Sequence, residues 1–254
     1  MADHIGVTGI EKMNALVSSS FRPQSGTVVA AEHPVLKVPA WKRALDLACV
    51  LMVLPALLPL MLMIAALIKV VSPGPVFFKQ ERIGFRRRRF LCYKFRTMKT
   101  GADTQVHQNH FKDLIKSDVP MTKMDAKGDS RLIPFASVIR AMGLDELPQI
   151  INVVLGDMSL VGPRPCTRYE FESYPAVYHA RFDTLPGLTG LWQVSGKNKT
   201  TFSEMMSLDI HYARHKTPWM DLSIMLRTFS VLAEQLHESR QAQAQARARE
   251  LASN

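Results

Sequence analysis

Residues 47–68 read L-A-C-V-L-M-V-L-P-A-L-L-P-L-M-L-M-I-A-A-L-I, without one charged side chain. A run of about 20 apolar residues is long enough to cross the hydrocarbon core of a bilayer. The stretch is therefore read as a membrane helix rather than as the core helix of a soluble protein. Pro55 and Pro59 stand near its middle. Each removes a backbone donor and crowds the preceding turn, which predicts a sharp kink. Lys42 and Arg43 precede the run, and Lys69, Lys79, Arg82 and Arg86 to Arg89 follow it. Positive charge marks the cytoplasmic side, and here it marks both ends. A helix that enters, bends at the prolines and returns to the same face satisfies both flanks. A straight span leaves Lys42 and Arg43 on the far side, so the re-entrant form is favoured.

The chain has 254 residues, room for one large domain or two small ones, and its 47% hydrophobic content argues against global disorder. Its formal net charge is +10. Between Lys69 and Lys99 ten Lys or Arg stand against one Glu, a net of +9, so nearly the whole excess adjoins the membrane run. Such a patch suits phosphates, nucleic acid or an acidic lipid surface. Cys49, Cys92 and Cys166 are odd in number and widely spaced, which fits neither a disulfide framework nor a zinc site and makes a reducing compartment the default. The apolar run begins too late for an ordinary signal peptide, and no A-x-A site follows it.

Towards the C-terminus, Ser72-Pro73-Gly74-Pro75 ends the helix and turns the chain. Val76–Phe78 and Phe90–Phe95 read as short strands, with the basic run Arg86–Arg89 between them expected to meet lipid head groups. Residues 100–130 are polar, and His107 and His110, lacking further ligands, read as surface histidines. A helix over Phe135–Met142 delivers Arg140 to the stretch that gathers the chemistry, R-A-M-G-L-D-E-L-P-Q-I-I-N-V-V-L-G-D-M-S-L-V-G-P-R-P, residues 140–165. Asp145 and Glu146 lie at a turn before Pro148, a helical run covers Ile150–Leu155, and Gly162-Pro163-Arg164-Pro165 is a rigid corner presenting one guanidinium. Two acids with Arg140 and Arg164 can surround one anionic substrate; the plainer alternative is a buried helix with surface charges at its ends.

A helical segment is expected up to Tyr178. Residues 185–196, L-P-G-L-T-G-L-W-Q-V-S-G, read as a Gly-rich loop running into a strand, without the pattern of a P-loop. Phe202–His211 reads as helix. From Trp219, Leu222, Met225, Leu226, Phe229, Leu232, Ala233 and Leu236 recur at helical spacing; that face packs on the domain or lies in the membrane interface, and packing is the commoner fate. Residues 1 to about 40, with a candidate helix near Gly9–Val17, and those beyond Arg240 read as tails.

Four segments in this order carry a resemblance. They are the apolar run ending S-P-G-P-V-F-F-K-Q-E-R-I-G, then Y-K-F-R-T-M, then L-D-E-L-P-Q-I-I-N-V-V-L-G-D-M-S-L-V-G-P-R-P, and P-G-L-T-G-L-W-Q-V-S-G. From about Trp41 to Phe229 the chain resembles the bacterial sugar transferases, in their small monotopic form, the polyprenyl-phosphate phosphoglycosyl transferases. R-R-R-R at 86–89 departs from the Gly-Lys step the family often has there. The resemblance implies an α+β, mostly helical fold: an N-terminal re-entrant membrane helix plus a small cytoplasmic domain with a short β-hairpin or sheet and amphipathic interfacial helices. The expected division is a tail over 1–40, the membrane helix over 41–72, the catalytic domain over 73–237 and a tail over 238–254. The multi-span N-terminal region of larger relatives is expected to be missing.

The resemblance also implies a reaction. A sugar 1-phosphate, galactose or glucose first, passes from a UDP-sugar to undecaprenyl phosphate with release of UMP, as the first membrane step of exopolysaccharide or other surface-glycan assembly. It implies Mg²⁺ and an active site at the cytoplasmic face of the inner membrane, among membrane lipids. A homodimer and downstream glycosyltransferases are further candidate partners. In that frame Asp145 is the expected nucleophile and a magnesium ligand, with Glu146 for orientation, metal binding or proton handling. Two metal-binding acids with direct attack by the lipid phosphate form the alternative. Arg164, held between Pro163 and Pro165, is expected on the diphosphate with Arg140 nearby, and Lys94 and Arg96 are lesser candidates. A structural salt bridge from Arg164 to an acid such as Asp157 is the competing reading. A nucleic-acid-binding membrane protein leaves D-E-L-P and G-P-R-P without a role. A non-catalytic scaffold of a polysaccharide assembly complex leaves the acids and arginines without one.

Overall fold

In the computed structural model the apolar run and its N-terminal basic flank form one helix, α1 (Ala40–Val71), of 32 residues. The residues described are 37–99, 131–196 and 200–234. His107 and His110, the rest of 100–130, the candidate helix at Gly9–Val17 and the tail beyond Arg240 lie outside them. Pro55 and Pro59 sit inside α1 rather than between two helices. At a rise of 1.5 Å per residue α1 is about 48 Å long, more than the ~30 Å of a bilayer's hydrocarbon core. It is long and apolar enough to cross a membrane, with a mean hydropathy of 2.7 over its most apolar window. Only 11% of that window is buried, and Leu51, Met52, Leu58, Leu62 and Met63 are exposed. So large an apolar surface marks a membrane-contacting element.

Both ends of α1 rest on the same body. In the first turns Lys42 Nζ, wholly buried, donates to Asp221 Oδ2 at 2.6 Å, Tyr212 OH at 2.8 Å and Val161 O at 2.9 Å. One turn on, Asp46 accepts from Ser159 Oγ at 2.9 Å and Leu160 N at 3.0 Å. Arg43 donates to the carbonyls of Val153 and Val154. At the far end Ile64 and Ile68 pack with Phe95, Ile133, Ala136 and Ile139. There Arg96 donates to Ser72 O at 2.8 Å and Pro73 O at 2.7 Å, satisfying carbonyls that follow the helix.

The body begins with an antiparallel hairpin of β1 (Phe77–Ile83) and β2 (Arg89–Phe95), pairing Phe77 with Phe95 through Ile83 with Arg89. Its tip holds Arg86 and Arg87 at φ 56° and 59°. That left-handed conformation normally selects Asn or Gly, so the basic run is strained there. Next come α2 (Ala136–Ala141), a 3₁₀ turn at Leu144–Glu146, α3 (Gln149–Leu155) and β3 (Ser159–Val161). Helix α4 (Arg168–Ser173) and a 3₁₀ run at Ala176–Asp183 lead to β4 (Gly187–Thr189), which pairs in parallel with β3. The chain ends in α5 (Leu191–Val194), α6 (Phe202–His215) and α7, residues 218–234. Thr167 with Glu170 and Thr201 with Glu204 form capping boxes that start α4 and α6. The described residues are mostly helical with two small two-stranded sheets.

Two expectations are corrected. The Gly-rich stretch does not run into a strand: the strand is Gly187–Thr189 itself, and Leu191–Val194 is one helical turn. Its glycines are needed for close approach. A Cβ on Gly187 would lie 2.1 Å from Gly162 N, and one on Gly190 2.4 Å from Gly162 O. In α7 the expected face divides: Met225 packs on the core beside Ile224 and Asp221, whereas Trp219, Leu222, Leu226 and Phe229 are exposed.

Replacing Lys42 by Met strands the Asp221 carboxylate in the core, and stability is expected to fall by about 3–5 kcal/mol. Pairing Lys42→Met with Asp221→Leu is expected to recover most of that loss. Thermal midpoints of both variants in one detergent check the prediction.

Candidate active site

Gly143, at φ 69°, ends α2 and opens the 3₁₀ turn that displays Asp145 and Glu146; Pro148 then starts α3. Buried Asn152 of α3 fixes this helix to the hairpin, accepting from Tyr93 N at 3.1 Å and donating to Leu91 O at 2.7 Å. The bond brings β2 against the acids, and Lys94 Nζ meets Glu146 Oε1 at 2.5 Å. On the other side Gly162 N donates to Thr189 O at 2.8 Å and Gly187 N to Pro163 O at 2.9 Å, which seats the Pro163–Pro165 corner on β4.

These elements enclose a hollow lined by Arg82, Lys94, Glu146, Gln149, Arg164 and Gln193. Pro165 belongs to its wall, whereas Pro163 faces a second hollow beyond Arg164. Three cations thus face one carboxylate. Arg82 Nε and Gln193 Oε1 are buried without a hydrogen-bond partner, polar capacity of the kind a ligand meets. Arg164 exposes its side chain, and among the described residues it makes no ion pair with Asp157.

The neighbouring acids are driven apart. Burial and then the Glu146 charge raise the Asp145 carboxyl, against the pull of Lys94 and Arg140. For Glu146, burial pushes up, but Lys94, Arg164 and Arg82 outweigh it and hold the carboxyl down at about 2. Its side chain keeps 34% of its surface exposed, so solvent tempers the pair. Burial also raises the Cys92 thiol in the hollow, which makes it a poor nucleophile.

The structure thus brings Asp145, Glu146, Arg140, Lys94 and Arg164 into one neighbourhood. Asp145 is half-buried beside the hollow rather than in its lining. Arg96 stands elsewhere, committed to the end of α1. Sequence reasoning passed over Arg82, Gln149 and Gln193. Arg82 had been counted as a membrane flank; Gln149 and Gln193 stood inside quoted motifs without a charge to flag them. It also passed over Arg181, whose Nη2 meets Asp209 Oδ2 at 2.6 Å with both side chains buried. The signal was available: Asp209 falls at i+3 and i+4 spacing between the apolar Met205, Met206 and Tyr212, Ala213 on one helical face. Among the described residues no three His, Cys, Asp or Glu cluster as for a metal. Adjacent carboxylates still suit Mg²⁺, which takes one or two carboxylates together with substrate phosphates and water.

Residues 38–235 match the family model described as bacterial sugar transferase. The chain is 37% identical over 188 residues to the exopolysaccharide production protein ExoY of Sinorhizobium fredii, covering 74% of this chain and 83% of that protein. It is 36% identical over 198 residues to the undecaprenyl-phosphate galactose phosphotransferase of Salmonella typhimurium, covering 75% of this chain and 40% of that one. With the UDP-glucose:undecaprenyl-phosphate glucose-1-phosphate transferase of Caulobacter vibrioides it shares 37% over 203 residues, 77% of this chain and 70% of the other.

Because Glu146 titrates at about 2, below its ordinary 4.5, folding favours its ionised form. That contribution is complete above about pH 4.5 and is lost as the pH falls towards 2. Lys94→Met removes the largest downward pull and leaves burial opposed only by Arg164 and Arg82. The stability gap between wild type and Lys94→Met is therefore expected to narrow as the pH falls through that window. Denaturation midpoints at stepped pH measure it.

Proposed function

This chain belongs to the bacterial sugar transferase family, and from that premise we propose that it moves a sugar 1-phosphate from a UDP-sugar to undecaprenyl phosphate, releasing UMP. The reaction opens the membrane stage of exopolysaccharide or related surface-glycan assembly, with galactose or glucose as the sugar, following the names its relatives carry. One observation carries the reading. Arg82, Lys94 and Arg164 converge on a hollow beside two adjacent carboxylates, in a chain that carries a membrane helix. Both substrates are anionic and one is a lipid. Phosphoryl transfer asks for positioning and charge neutralisation, and this arrangement supplies them.

The Asp145 carboxylate attacks the sugar-bearing phosphorus. Its O–P bond forms as the bond to the bridging oxygen breaks, and UMP leaves with that oxygen and the electron pair. An oxygen of undecaprenyl phosphate then attacks the same phosphorus and frees the carboxylate. Lys94 and Arg140 favour the ionised Asp145 that the first step needs. Arg82 and Arg164 hold the diphosphate, and Arg164 offers it a planar fork. Glu146, ionised down to about pH 2, orients Lys94 rather than relaying a proton. Asp145 would hold Mg²⁺, which would supply further charge neutralisation at the transferred phosphate.

The membrane arrangement follows the same reading. Helix α1 is re-entrant, and the domain lies on the cytoplasmic face of the inner membrane. The seating of both helix ends on one domain supports this. Exposed Val138 of α2 with Phe135 and Met142 at its two ends, and Trp219, Leu222, Leu226 and Phe229 on α7, lie in the interface.

A panel of UDP-sugars tested for UMP release with undecaprenyl phosphate decides the function; no release from any of them defeats it. Sugar-labelled donor without lipid is expected to label the wild type and not Asp145→Asn. An unlabelled wild type that needs both substrates before UMP appears replaces the covalent route with direct transfer. Arg164→Lys is expected to lose about 100-fold in turnover with its fold intact. An impermeant thiol reagent that labels an engineered N-terminal cysteine from outside intact cells overturns the re-entrant helix.

A further inference from the structure

From Val161 to Cys166 the main chain is gripped by other elements at nearly every carbonyl. Val161 O accepts from Lys42 Nζ at 2.9 Å and from Tyr212 OH at 3.0 Å. Pro163 O accepts from Gly187 N at 2.9 Å, Arg164 O from Arg181 Nη2 at 2.9 Å, Pro165 O from Arg82 Nη1 at 3.1 Å and Cys166 O from Ile83 N at 2.8 Å. Arg164 is the one residue of this segment whose side chain is exposed.

Two of the donors are buried cations with their own buried carboxylates. Lys42 pairs with Asp221, and Arg181 with Asp209, each at 2.6 Å. A buried ion pair is a poor means of stabilising a fold, because desolvation offsets most of its attraction and an apolar pair of similar volume does as well. What it does supply is position. Arg181 meets three acceptors with one guanidinium: Tyr174 OH at 2.9 Å, Asp209 Oδ2 at 2.6 Å and Arg164 O. Phe182 and Tyr174 pack their rings 5.6 and 5.4 Å from its guanidinium carbon and keep it from turning.

We propose that Arg181 and Lys42 are positioning residues, which fix the main chain on either side of Arg164 so that its guanidinium meets the donor diphosphate. The proposal rests on the reading of Arg164 as a diphosphate contact. Arg164 has a long, freely rotating side chain, so its reach is defined only if its Cα is. Lys42 lies in the first turn of α1, which makes the seating of the membrane helix part of the same scaffold.

The test is a double-mutant cycle on the full chain in lipid nanodiscs, with UDP binding read by calorimetry. Arg181→Lys keeps the charge opposite Asp209 but loses the planar fork that also reaches Arg164 O. It is expected to weaken UDP about tenfold when Arg164 is present and to have no effect in Arg164→Ala, with the thermal midpoint little changed. If Arg181→Lys does not fold, Tyr212→Phe serves in its place. It removes the hydroxyl whose single proton is shared between Val161 O at 3.0 Å and Asp221 Oδ1 at 2.6 Å, and is expected to weaken UDP about two- to threefold, again only when Arg164 is present. Equal weakening on both backgrounds, or unchanged UDP affinity in a folded variant, overturns the positioning role while Arg164→Ala still shows its own loss. Unchanged affinity in Arg164→Ala defeats the underlying reading of Arg164 and the positioning role with it.

Discussion

The ammonium of Lys42 is the point on which the rest of the structure depends. An unpaired charge in a protein interior costs many kcal/mol, so this group can stay buried only where acceptors surround it. Asp221, Tyr212 and Val161 provide three, from α7, α6 and β3. The bond set therefore joins the start of the membrane helix to the last two helices and to the strand that leads into the arginine corner. Asp46, one turn further along α1, repeats the attachment at Ser159 and Leu160. Lys42, Arg43 and Asp46, the three charged residues at the start of α1, thus specify which way the helix faces the domain. The exposed Leu51, Met52, Leu58, Leu62 and Met63 have no such partners, while Leu57, Leu60 and Met61 between them pack on the domain.

The acids show the same logic at the site. Asp145 and Glu146 are adjacent in sequence, yet their surroundings separate them. One is raised by burial and by its neighbour's charge; the other is held low by three cations. Where two titratable groups are pushed apart, their environments assign their roles. A carboxylate tied to Lys94 at 2.5 Å is occupied with holding that lysine. Among the described residues Asp145 carries no comparable bond to a cation, which fits the role of attacking group proposed for it.

Much of this was legible in the sequence because the signals were local. Charge-free length marks α1, two short aromatic runs flank a basic turn, and Pro148, Gly156 and the Pro163–Pro165 corner punctuate the acidic stretch. What stayed hidden was non-local. Nothing adjacent to Lys42 reveals that Asp221 closes its ion pair 179 positions away. Arg96 follows β2 directly, two residues after Lys94, at the even spacing that would put two extended side chains on one face. The end of α1 nevertheless presents bare carbonyls at Ser72 and Pro73, and Arg96 is drawn to them. The α7 face misled for a different reason. Helical periodicity reports that a face is apolar and not what covers it. Gly162, Gly187 and Gly190 read as loop residues, whereas their function is to let two backbones touch.

The position of the acids bears on how a lipid substrate reaches them. Exposed Met142 is the last apolar residue before the Gly143 turn, and Asp145 follows three positions after it. Val138 and Phe135 extend the same exposed side of α2, whose opposite side packs through Ala136 and Ile139 on Ile64 and Ile68 of α1. The acidic turn therefore begins where an apolar helix face ends, beside the membrane helix. A polyprenyl phosphate has its charge at one end of a long hydrocarbon, and drawing that chain into water is opposed by roughly 0.8 kcal/mol for each methylene exposed. A nucleophile deep in a water-filled domain would require that extraction. On the proposed reading, with Asp145 as nucleophile and α2 in the interface, the phosphate need only move sideways at the level of the head groups, towards the basic residues of the hairpin and the Arg164 corner.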